Sequence, residues 1–290
     1  TRRWLMLALP GLCVLSAAKT HAQQAEHQTF DGLEADHTLV TYELDAWVDA
    51  WGRPTAKVMI NGQGPFNFMV DTGSTTTVIA NRHLERIGAP VVGMTIVHGT
   101  TGQAEMPIAR LQHLETGTVR KSDLIVAVLS DQGLAREDGI LGADVFVGRR
   151  LIFDIAGKSV KVEKSLRTIR DNRRSNLRLR NGMLAEINGQ IGAVRARLML
   201  DTGAQKCIVN PKLEARLKQA YPRMLRLERA RIIGVTGQEL VGSLLALPEI
   251  DMGIVKVRDA TAIAADAPVF RVWGMEDEPA IIIGVELLSR

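Results

Sequence analysis

The 290-residue chain is poor in cysteine and in aromatic residues, with two cysteines and 4% aromatics. Cys13 lies in an N-terminal apolar run, so Cys207 has no disulfide partner in the rest of the chain. The G-x-G-x-x-G pattern is absent, and nucleotide binding therefore has no support. His83, His98 and His113 share no metal-ligand spacing with one another or with acids, so we expect neither a metal nor a cofactor.

The net charge of +4 does not indicate a basic binding surface. Residues 1–22 carry three positive charges and no acid, and residues 167–180 carry six arginines and one aspartate. The rest of the chain is therefore acidic. Because interleaved aromatic residues and zinc-finger spacing are both missing, we expect no nucleic-acid partner.

Long hydrophobic runs are missing too, apart from a short one at the N-terminus. Two arginines precede the apolar residues 5–15, and residues 20–22 form a small-x-small cleavage site. We predict a signal peptide over residues 1–22, of the general or the twin-arginine type, and a periplasmic or secreted protein. The run is too short for a stable membrane span.

The residues that are abundant favour a mostly β protein of two lobes. Short runs of Val, Ile and Thr are punctuated by glycine, and long helical patterns are scarce. Five landmarks recur in the same order in both halves. They are Ile-Asn-Gly-Gln (residues 60–63 and 187–190), Asp-Thr-Gly (71–73 and 201–203), an asparagine (Asn81 and Asn210), Thr-Gly-Gln (101–103 and 236–238) and two apolar residues before glycine (140–142 and 282–284).

These landmarks predict local structure. Asn-Gly favours a type I′ turn, so we expect hairpins at residues 61–62 and 188–189. Each hairpin returns as an apolar strand that ends at Asp-Thr-Gly. Asparagine is a good helix N-cap, which predicts helices over residues 81–88 and 210–219. The Thr-Gly-Gln sequences predict glycine-tipped hairpins.

The repeat also divides the chain into segments. They are a signal peptide (1–22), an N-terminal extension (23–45), a first lobe (46–164), an arginine-rich linker (165–182) and a second lobe (183–290). The linker is polar and has no apolar periodicity until its end, so we interpret it as a solvated connector. The alternative is that its arginines hold the protein near an anionic envelope surface.

Two Asp-Thr-Gly loops that face each other would bring Asp71 and Asp201 close together. Two adjacent negative charges do not both persist easily, so such a pair shares one proton. A water between the two carboxyl groups then meets a base on one side and an acid on the other. A single turn aspartate would more simply bond its own backbone, but the repeat favours the paired interpretation.

The residues beside the two aspartates have expected supporting roles. The glycine allows a tight turn and leaves a backbone N–H for the carboxylate, and the threonine is a small donor that ties one loop to the other. A serine in the first loop offers a hydroxyl to Asp71, whereas an alanine in the second offers none to Asp201. The supporting residues are Thr72, Gly73, Ser74, Thr202, Gly203 and Ala204.

These motifs resemble the pepsin-like and retropepsin-like aspartic proteases. Residues 138–146 followed by residues 151–162 are especially similar to the end of such a lobe, and the lobe size is nearer to the retropepsin-like type. From residue 46 onward the chain looks like a bacterial exported aspartyl protease with two retropepsin-like units.

The resemblance implies a mostly β fold of two retropepsin-like β-barrel lobes related by pseudo-twofold symmetry. It implies an aspartic endopeptidase with Asp71 and Asp201 as the catalytic pair and a peptide or unfolded protein as substrate. The apolar-apolar-Gly segments would pack under the active-site loops. The flap and substrate-binding residues would be Thr100, Thr101, Gly102, Gln103, Val235, Thr236, Gly237 and Gln238.

The chain also departs from the family pattern. Neither flap has the tyrosine familiar in pepsin-like enzymes, and Lys206 closely follows the second motif. The second half has no counterpart to residues 151–162, so we expect a truncated C-terminus. Two alternatives stay open: a catalytically inactive exported peptide- or protein-binding module on the same fold, and a homodimer in place of the expected monomer, with lobes paired between chains.

Overall fold

The structure, a computed structural model, describes residues 5–7, 42–44, 46–49, 52–134, 136–154, 159–164, 177–180, 184–224, 226–253 and 255–290. These residues form two lobes built mostly from strands, as predicted. No helix in these ranges is long and apolar enough to cross a membrane.

The elements are numbered in chain order. The strands of the first half are β1 (Leu5–Leu7), β2 (Tyr42–Leu44), β3 (Ala46–Val48), β4 (Pro54–Ile60), β5 (Gln63–Val70), β6 (Val78–Ala80), β7 (Val91–His98), β8 (Gln103–Thr116), β9 (Val119–Leu129), β10 (Gly139–Leu141), β11 (Arg149–Asp154) and β12 (Ser159–Lys164). Those of the second half are β13 (Leu177–Arg180), β14 (Leu184–Ile191), β15 (Val194–Leu200), β16 (Cys207–Val209), β17 (Arg226–Ile233), β18 (Glu239–Ala246), β19 (Ile250–Asp251), β20 (Lys256–Val257), β21 (Thr261–Ala264) and β22 (Ala280–Ile283). The α-helices are α1 (Leu84–Ile87), α2 (Pro211–Ala220), α3 (Val269–Val272) and α4 (Val285–Leu288), and the 3-10 turns are Asn81–His83, Asp131–Gly133 and Ala143–Phe146.

The first lobe is a closed barrel. β4 and β5 form a hairpin whose turn residues, Asn61 and Gly62, have the positive φ angles (49° and 77°) that a type I′ turn requires. β5 pairs in parallel with β10, β10 pairs with β6, and β6 pairs in parallel with β9. β8 pairs with β9, and its far end reaches β4, where Leu114 lies opposite Ile60 and closes the barrel.

The second lobe repeats this circuit with β14, β15, β22, β16, β21 and β18. Here the counterpart of the long strand β8 is divided. β18 ends at Ala246, and the chain resumes as β19, which pairs with β14. The gap falls at Pro248, because proline has no N–H to donate to a strand ladder. The predicted fold class is confirmed, with an interruption of the second barrel at this proline.

The turn predicted at Asn188 and Gly189 is wrong. Both residues lie inside β14, where they pair with Arg197 and Ala196. The chain turns four residues later, at Gly192 with a φ of 56°. The strand continues to that point because Ile191 is fully buried in the core.

The predicted helix over residues 210–219 is confirmed, whereas its counterpart over residues 81–88 is a 3-10 turn followed by the short α1. Asn210 caps α2, because its side chain accepts a hydrogen bond from the N–H of Leu213 at 2.9 Å. Asn81 makes no such bond, so its predicted capping role is wrong. It lies within the helical turn itself, whereas a capping side chain acts from outside the turn.

Strands from the segments outside the two predicted lobes pair with strands of the lobes. β1, inside the predicted signal peptide, pairs with β11, and β2, from the N-terminal extension, pairs with β12. β13 pairs with β14, so the end of the segment that we assigned to the linker joins the sheet of the second lobe. The remaining parts of these three segments lie outside the described residues.

One apolar core reaches both lobes. A continuous cluster of buried side chains contains Phe68 and Val70 of β5 together with Leu198 and Leu200 of β15. These two strands lead directly to the Asp-Thr-Gly loops. Burial of apolar surface, at roughly 25 cal/mol per Å², therefore holds the two loops at the junction between the lobes.

Gly139 in β10 offers a test of this packing. A Cβ atom at this position would lie 2.3 Å from both the Phe68 ring and the Val78 carbonyl oxygen. We expect Gly139→Ala to lower the free energy of unfolding by about 1–3 kcal/mol. At Gly93 in β7 the nearest atom would be 3.5 Å from the new Cβ, so Gly93→Ala should have a much smaller effect. Urea unfolding compares the two variants, and equal losses would contradict this packing of β10.

Candidate active site

Both Asp-Thr-Gly loops leave the end of an apolar strand and are anchored by the apolar-apolar-Gly segment beneath them. The N–H of Asp71 donates to the Leu141 carbonyl at 3.1 Å, and that of Asp201 donates to the Ile283 carbonyl at 3.0 Å. The following glycine is tightly enclosed, since a Cβ at Gly142 would lie 2.5 Å from the Thr76 backbone. The segments therefore pack under the loops, as the resemblance implied.

Thr72 and Thr202 tie the loops to each other across the lobes. The Thr72 N–H donates to Thr202 Oγ1 at 3.0 Å, and the Thr202 N–H donates to Thr72 Oγ1 at 2.8 Å. Each hydroxyl then donates to a carbonyl of the opposite strand, Leu200 or Val70, at 2.7 Å. Both threonines are buried, so these four bonds form a reciprocal link inside the lobe junction.

This link brings the two aspartates together. A Cβ at Gly73 would lie 2.5 Å from the Asp201 carboxyl carbon, and a Cβ at Gly203 would lie 2.3 Å from that of Asp71. Each carboxyl group therefore lies against the glycine of the opposite loop, where only glycine fits. The carboxyl groups of Asp71 and Asp201 are therefore close enough to influence each other's pKa.

The two carboxyl groups have different donors. Asp201 accepts from the N–H groups of Gly203 and Ala204 at 2.8 and 3.0 Å, and Asp71 accepts from that of Gly73 at 2.8 Å. The expected bond from the Ser74 hydroxyl to Asp71 is not formed. That hydroxyl donates to the carbonyl two residues further on, at 3.2 Å, as serine often does in turns. The asymmetry thus comes from the backbone N–H of Ala204.

The surroundings also set the protonation of the pair. Burial raises the pKa of Asp71 well above its ordinary value, and the neighbouring charge of Asp201 raises it further. Burial also raises the pKa of Asp201, but the bonds from Asp71, Ala204 and Gly203 oppose this. Because Asp201 accepts two backbone N–H bonds and Asp71 accepts one, this geometry favours the negative charge on Asp201. Because the two groups are coupled, they titrate as a unit.

The residue six positions after the aspartate differs between the two lobes. In the first lobe Thr77 donates through its N–H and its hydroxyl to Asp144, at 2.9 and 2.8 Å. The second lobe has Cys207 in this place, and burial raises the pKa of its thiol to about 11. The thiol therefore stays protonated, unlike a cysteine nucleophile. Lys206 forms an ion pair with Glu286 at 2.5 Å, so its charge is already paired.

The structure joins the tips of the two predicted flaps. The first flap is the β7–β8 hairpin and the second is the β17–β18 hairpin. Thr101 Oγ1 of the first donates to the Gln238 carbonyl at 2.8 Å, and Gln238 Nε2 donates to the Gln103 carbonyl at 3.0 Å. Gly102 lies against the Gln238 side chain, and Gly237 adopts a φ of 84° in its turn.

Other atoms of the flap junction are enclosed without a partner. Thr236 Oγ1 and Gln238 Oε1 are buried and have no hydrogen-bond partner within the described residues. The Val235 carbonyl lies against Gly133, at 2.3 Å from a Cβ built there, and Thr100 is half-buried. All eight predicted flap residues therefore lie at or next to this junction, while their role in substrate binding stays a prediction.

The flaps rest on the strands that lead to the aspartates. Val97 and Met106 of the first flap belong to the same apolar cluster as Met69. Ile232 of the second flap packs against a separate cluster that contains Met199. Met69 and Met199 each lie two residues before an aspartate, so each flap packs against the strand that leads to one aspartate.

Arg53 is a site residue that the sequence did not reveal. Its positive charge lowers the pKa of both Asp71 and Asp201, against the effect of burial. No motif contains it. The register of the β4–β5 hairpin, in which Thr55 lies opposite Met69, is the signal that would have placed it beside Asp71.

Other candidate sites lie away from the aspartates. No group of three or more His, Cys, Asp or Glu side chains suited to a metal occurs among the described residues. A cavity of about 760 Å³ opens on the second lobe, lined by both cationic and anionic side chains such as Arg195, Asp251 and Asp277. None of the predicted site residues lines it.

The family assignment agrees with this geometry. The aspartyl protease family model matches the chain twice, over residues 56–145 and 183–287. The two matches cover more than half of the chain, and each contains one Asp-Thr-Gly loop. The chain therefore belongs to the aspartyl protease family.

Individual relatives are distant. No curated protein matches the chain. Among solved structures it is similar to a retropepsin-like aspartic protease from Rickettsia conorii, with 15% sequence identity and a TM-score of 0.32. The similarity covers 44% of this chain and 94% of that one.

Thr72→Val tests the link between the lobes, because valine keeps the shape and removes the hydroxyl. The Leu200 carbonyl and the Thr202 N–H would both lose a partner, so we expect a loss of about 1–3 kcal/mol in the free energy of unfolding. Thr116→Val is the matched control, since this buried hydroxyl donates to Lys57 within the first lobe. In urea unfolding, a Thr72→Val loss no larger than that of the control would argue against the link.

The raised pKa of Asp71 predicts a dependence of stability on pH. The folded protein keeps a proton that the unfolded chain releases, so this stabilisation is complete below the ordinary pKa of 3.8 and is lost as pH rises through the folded pKa. Asp71→Asn stays neutral, so its free energy of unfolding should exceed that of the wild type near pH 7 and match it near pH 3. Unfolding measured across this range gives the difference. The exposed Asp123 offers Asp123→Asn as a control, and a difference independent of pH would refute the assignment.

Proposed function

We propose that the protein is an aspartic endopeptidase, in which a water held by Asp71 and Asp201 attacks a peptide bond. The observation that carries this proposal is the reciprocal threonine link, which holds the two carboxyl groups next to each other at the lobe junction. Membership of the aspartyl protease family supports it.

The protonation of the pair suggests the role of each residue. Asp201, the ionised partner, takes a proton from the water as its oxygen bonds to the scissile carbonyl carbon. Asp71 gives its proton to the carbonyl oxygen, which forms a neutral gem-diol. Asp201 then protonates the leaving nitrogen while Asp71 recovers a proton from the diol. The C–N bond breaks, both carboxyl groups return to their starting states, and no covalent intermediate forms.

The joined flaps suggest how a substrate binds. An extended peptide, or an unfolded stretch of a protein, would lie between the flaps and the pair and bond to strand edges through its backbone. The bonds between Thr101, Gln103 and Gln238 must open for it to enter. Thr236 Oγ1 and Gln238 Oε1, both without a partner within the described residues, are then available to the peptide backbone.

The assembly and location of the enzyme are part of the proposal. The bonds between Thr72 and Thr202 form within one chain, which favours a monomer over a homodimer that exchanges lobes. Residues 1–22 favour export to the periplasm or beyond the cell. An inactive binding module on the same fold remains the rival function, and it needs no proton on the pair.

Loss of either carboxyl group tests the proposal. Asp71→Asn and Asp201→Asn should each lower kcat for peptide cleavage by roughly 10²–10⁴-fold, since each removes one half of the acid–base pair. Cleavage of a mixed synthetic peptide library, followed by mass spectrometry between about pH 3 and 8, measures this.

The control is Asp123→Asn, an exposed position in β9, which should cleave as fast as the wild type. Peptide cleavage that survives both active-site substitutions would rule out the proposed mechanism. A wild-type protein that binds the library peptides at every pH without cutting them would support the binding module instead.

A further inference from the structure

Arg53 is a largely enclosed cation that the fold places beside the aspartate pair. Thr55 in β4 lies opposite Met69 in β5, two residues before Asp71. Arg53 stands two residues before Thr55, so it lies next to the end of β5 from which Asp71 emerges. Only 17% of its side chain is exposed.

Two acidic residues hold the guanidinium in place. Asp49 accepts from the backbone N–H of Arg53 at 2.9 Å and from Nε at 2.5 Å. Glu137, from the loop before β10, accepts from a terminal nitrogen at 3.0 Å. The carboxylates are 8% and 6% exposed. Bonds from two directions fix the position of the charge.

At the equivalent position the second lobe has an apolar residue. Glu186 lies opposite Met199 in β14 and β15, as Thr55 lies opposite Met69 in the first lobe. Counting two residues back from Glu186 gives Leu184, whose side chain is fully buried. The pseudo-twofold symmetry is therefore broken at this position, because the first lobe has a charged side chain where the second has an apolar one.

We propose that Arg53, in the first lobe, is a positioning residue that keeps the aspartate pair singly ionised. This inference rests on the proposed function. Mutual repulsion prevents ionisation of both carboxyl groups, and burial favours going further, to a doubly protonated and inactive pair. A fixed positive charge in a region of low dielectric opposes them.

The surrounding charges agree with this role. Arg53 lowers the pKa of Asp71 and of Asp201 alike. Asp49 and Glu137 offset part of its charge, as a buried arginine requires. Arg82 contacts the Glu137 backbone carbonyl at 2.6 Å and the Asp138 carboxylate at 3.1 Å, so it anchors the same loop from the far side.

The test is the titration of the pair in charge variants of the full chain. Carbon-13 NMR of the aspartate carboxyl groups reports both apparent pKa values, with Asp71→Asn and Asp201→Asn for assignment. Arg53→Leu, which copies the second lobe, should raise both values and move both limbs of the kcat/KM profile to higher pH. Arg53→Lys keeps the charge and should leave them near the wild type.

Two more variants separate charge from structure. Arg82→Leu weakens the same loop without touching Arg53, so it should leave the titration unchanged. Glu137→Gln removes a carboxylate that offsets Arg53, so it should lower both apparent pKa values. If Arg53→Leu does not fold, the direction in which Glu137→Gln shifts the two apparent pKa values tests the role of Arg53.

The outcomes distinguish the two proposals. An Arg53→Leu protein that is folded and titrates like the wild type overturns the role of Arg53, as does a Glu137→Gln titration that is unchanged or raised. A wild type that cleaves no peptide overturns the proposed function, yet the NMR titration still measures the effect of Arg53 on the pair.

Discussion

The site depends on the hydrogen bonds that Thr72 and Thr202 exchange across the lobe junction. Each hydroxyl accepts from the opposite loop and donates to the strand before the opposite aspartate, at distances between 2.7 and 3.0 Å. Such a reciprocal link allows one register only, because a shift of either lobe would break all four bonds together. In that register each glycine lies against the opposite carboxyl group, and the two aspartates are held next to each other.

Symmetric architecture produces an asymmetric pair. Both lobes contribute the same strand, loop and apolar anchor. Asp201 nevertheless accepts two backbone N–H bonds, from Gly203 and Ala204, whereas Asp71 accepts one, from Gly73. Arg53 adds a charge from one side, where Leu184 occupies the other. Two identical carboxyl groups would bind a shared proton equally well. These differences favour one of them as the group that carries the proton. The proposed mechanism requires this, because one residue acts as the acid and the other as the base.

Much of this could be predicted from repeated motifs. The fold class and the two active-site loops were predicted from two motifs that each occur twice. One is Asp-Thr-Gly, and the other ends in a glycine, at Gly142 and Gly284, which lie 71 and 83 residues after the two aspartates. The turn rule failed at Asn188, which lies in a strand because Ile191 belongs to the core. The expected bond to Asp71 failed for the opposite reason, since the Ser74 hydroxyl bonds within its own turn. Arg53 was invisible because its role follows from strand register and burial, which no short motif encodes.

The proposed mechanism requires Asp71 and Asp201 to act as one unit. A crystal structure of the protein with a statine-containing peptide tests this, since the statine hydroxyl mimics the attacking water. We expect this hydroxyl within about 3 Å of both carboxyl groups, with the peptide enclosed by the two flaps. A hydroxyl bonded to a single aspartate, or a peptide bound elsewhere on the protein, would contradict it.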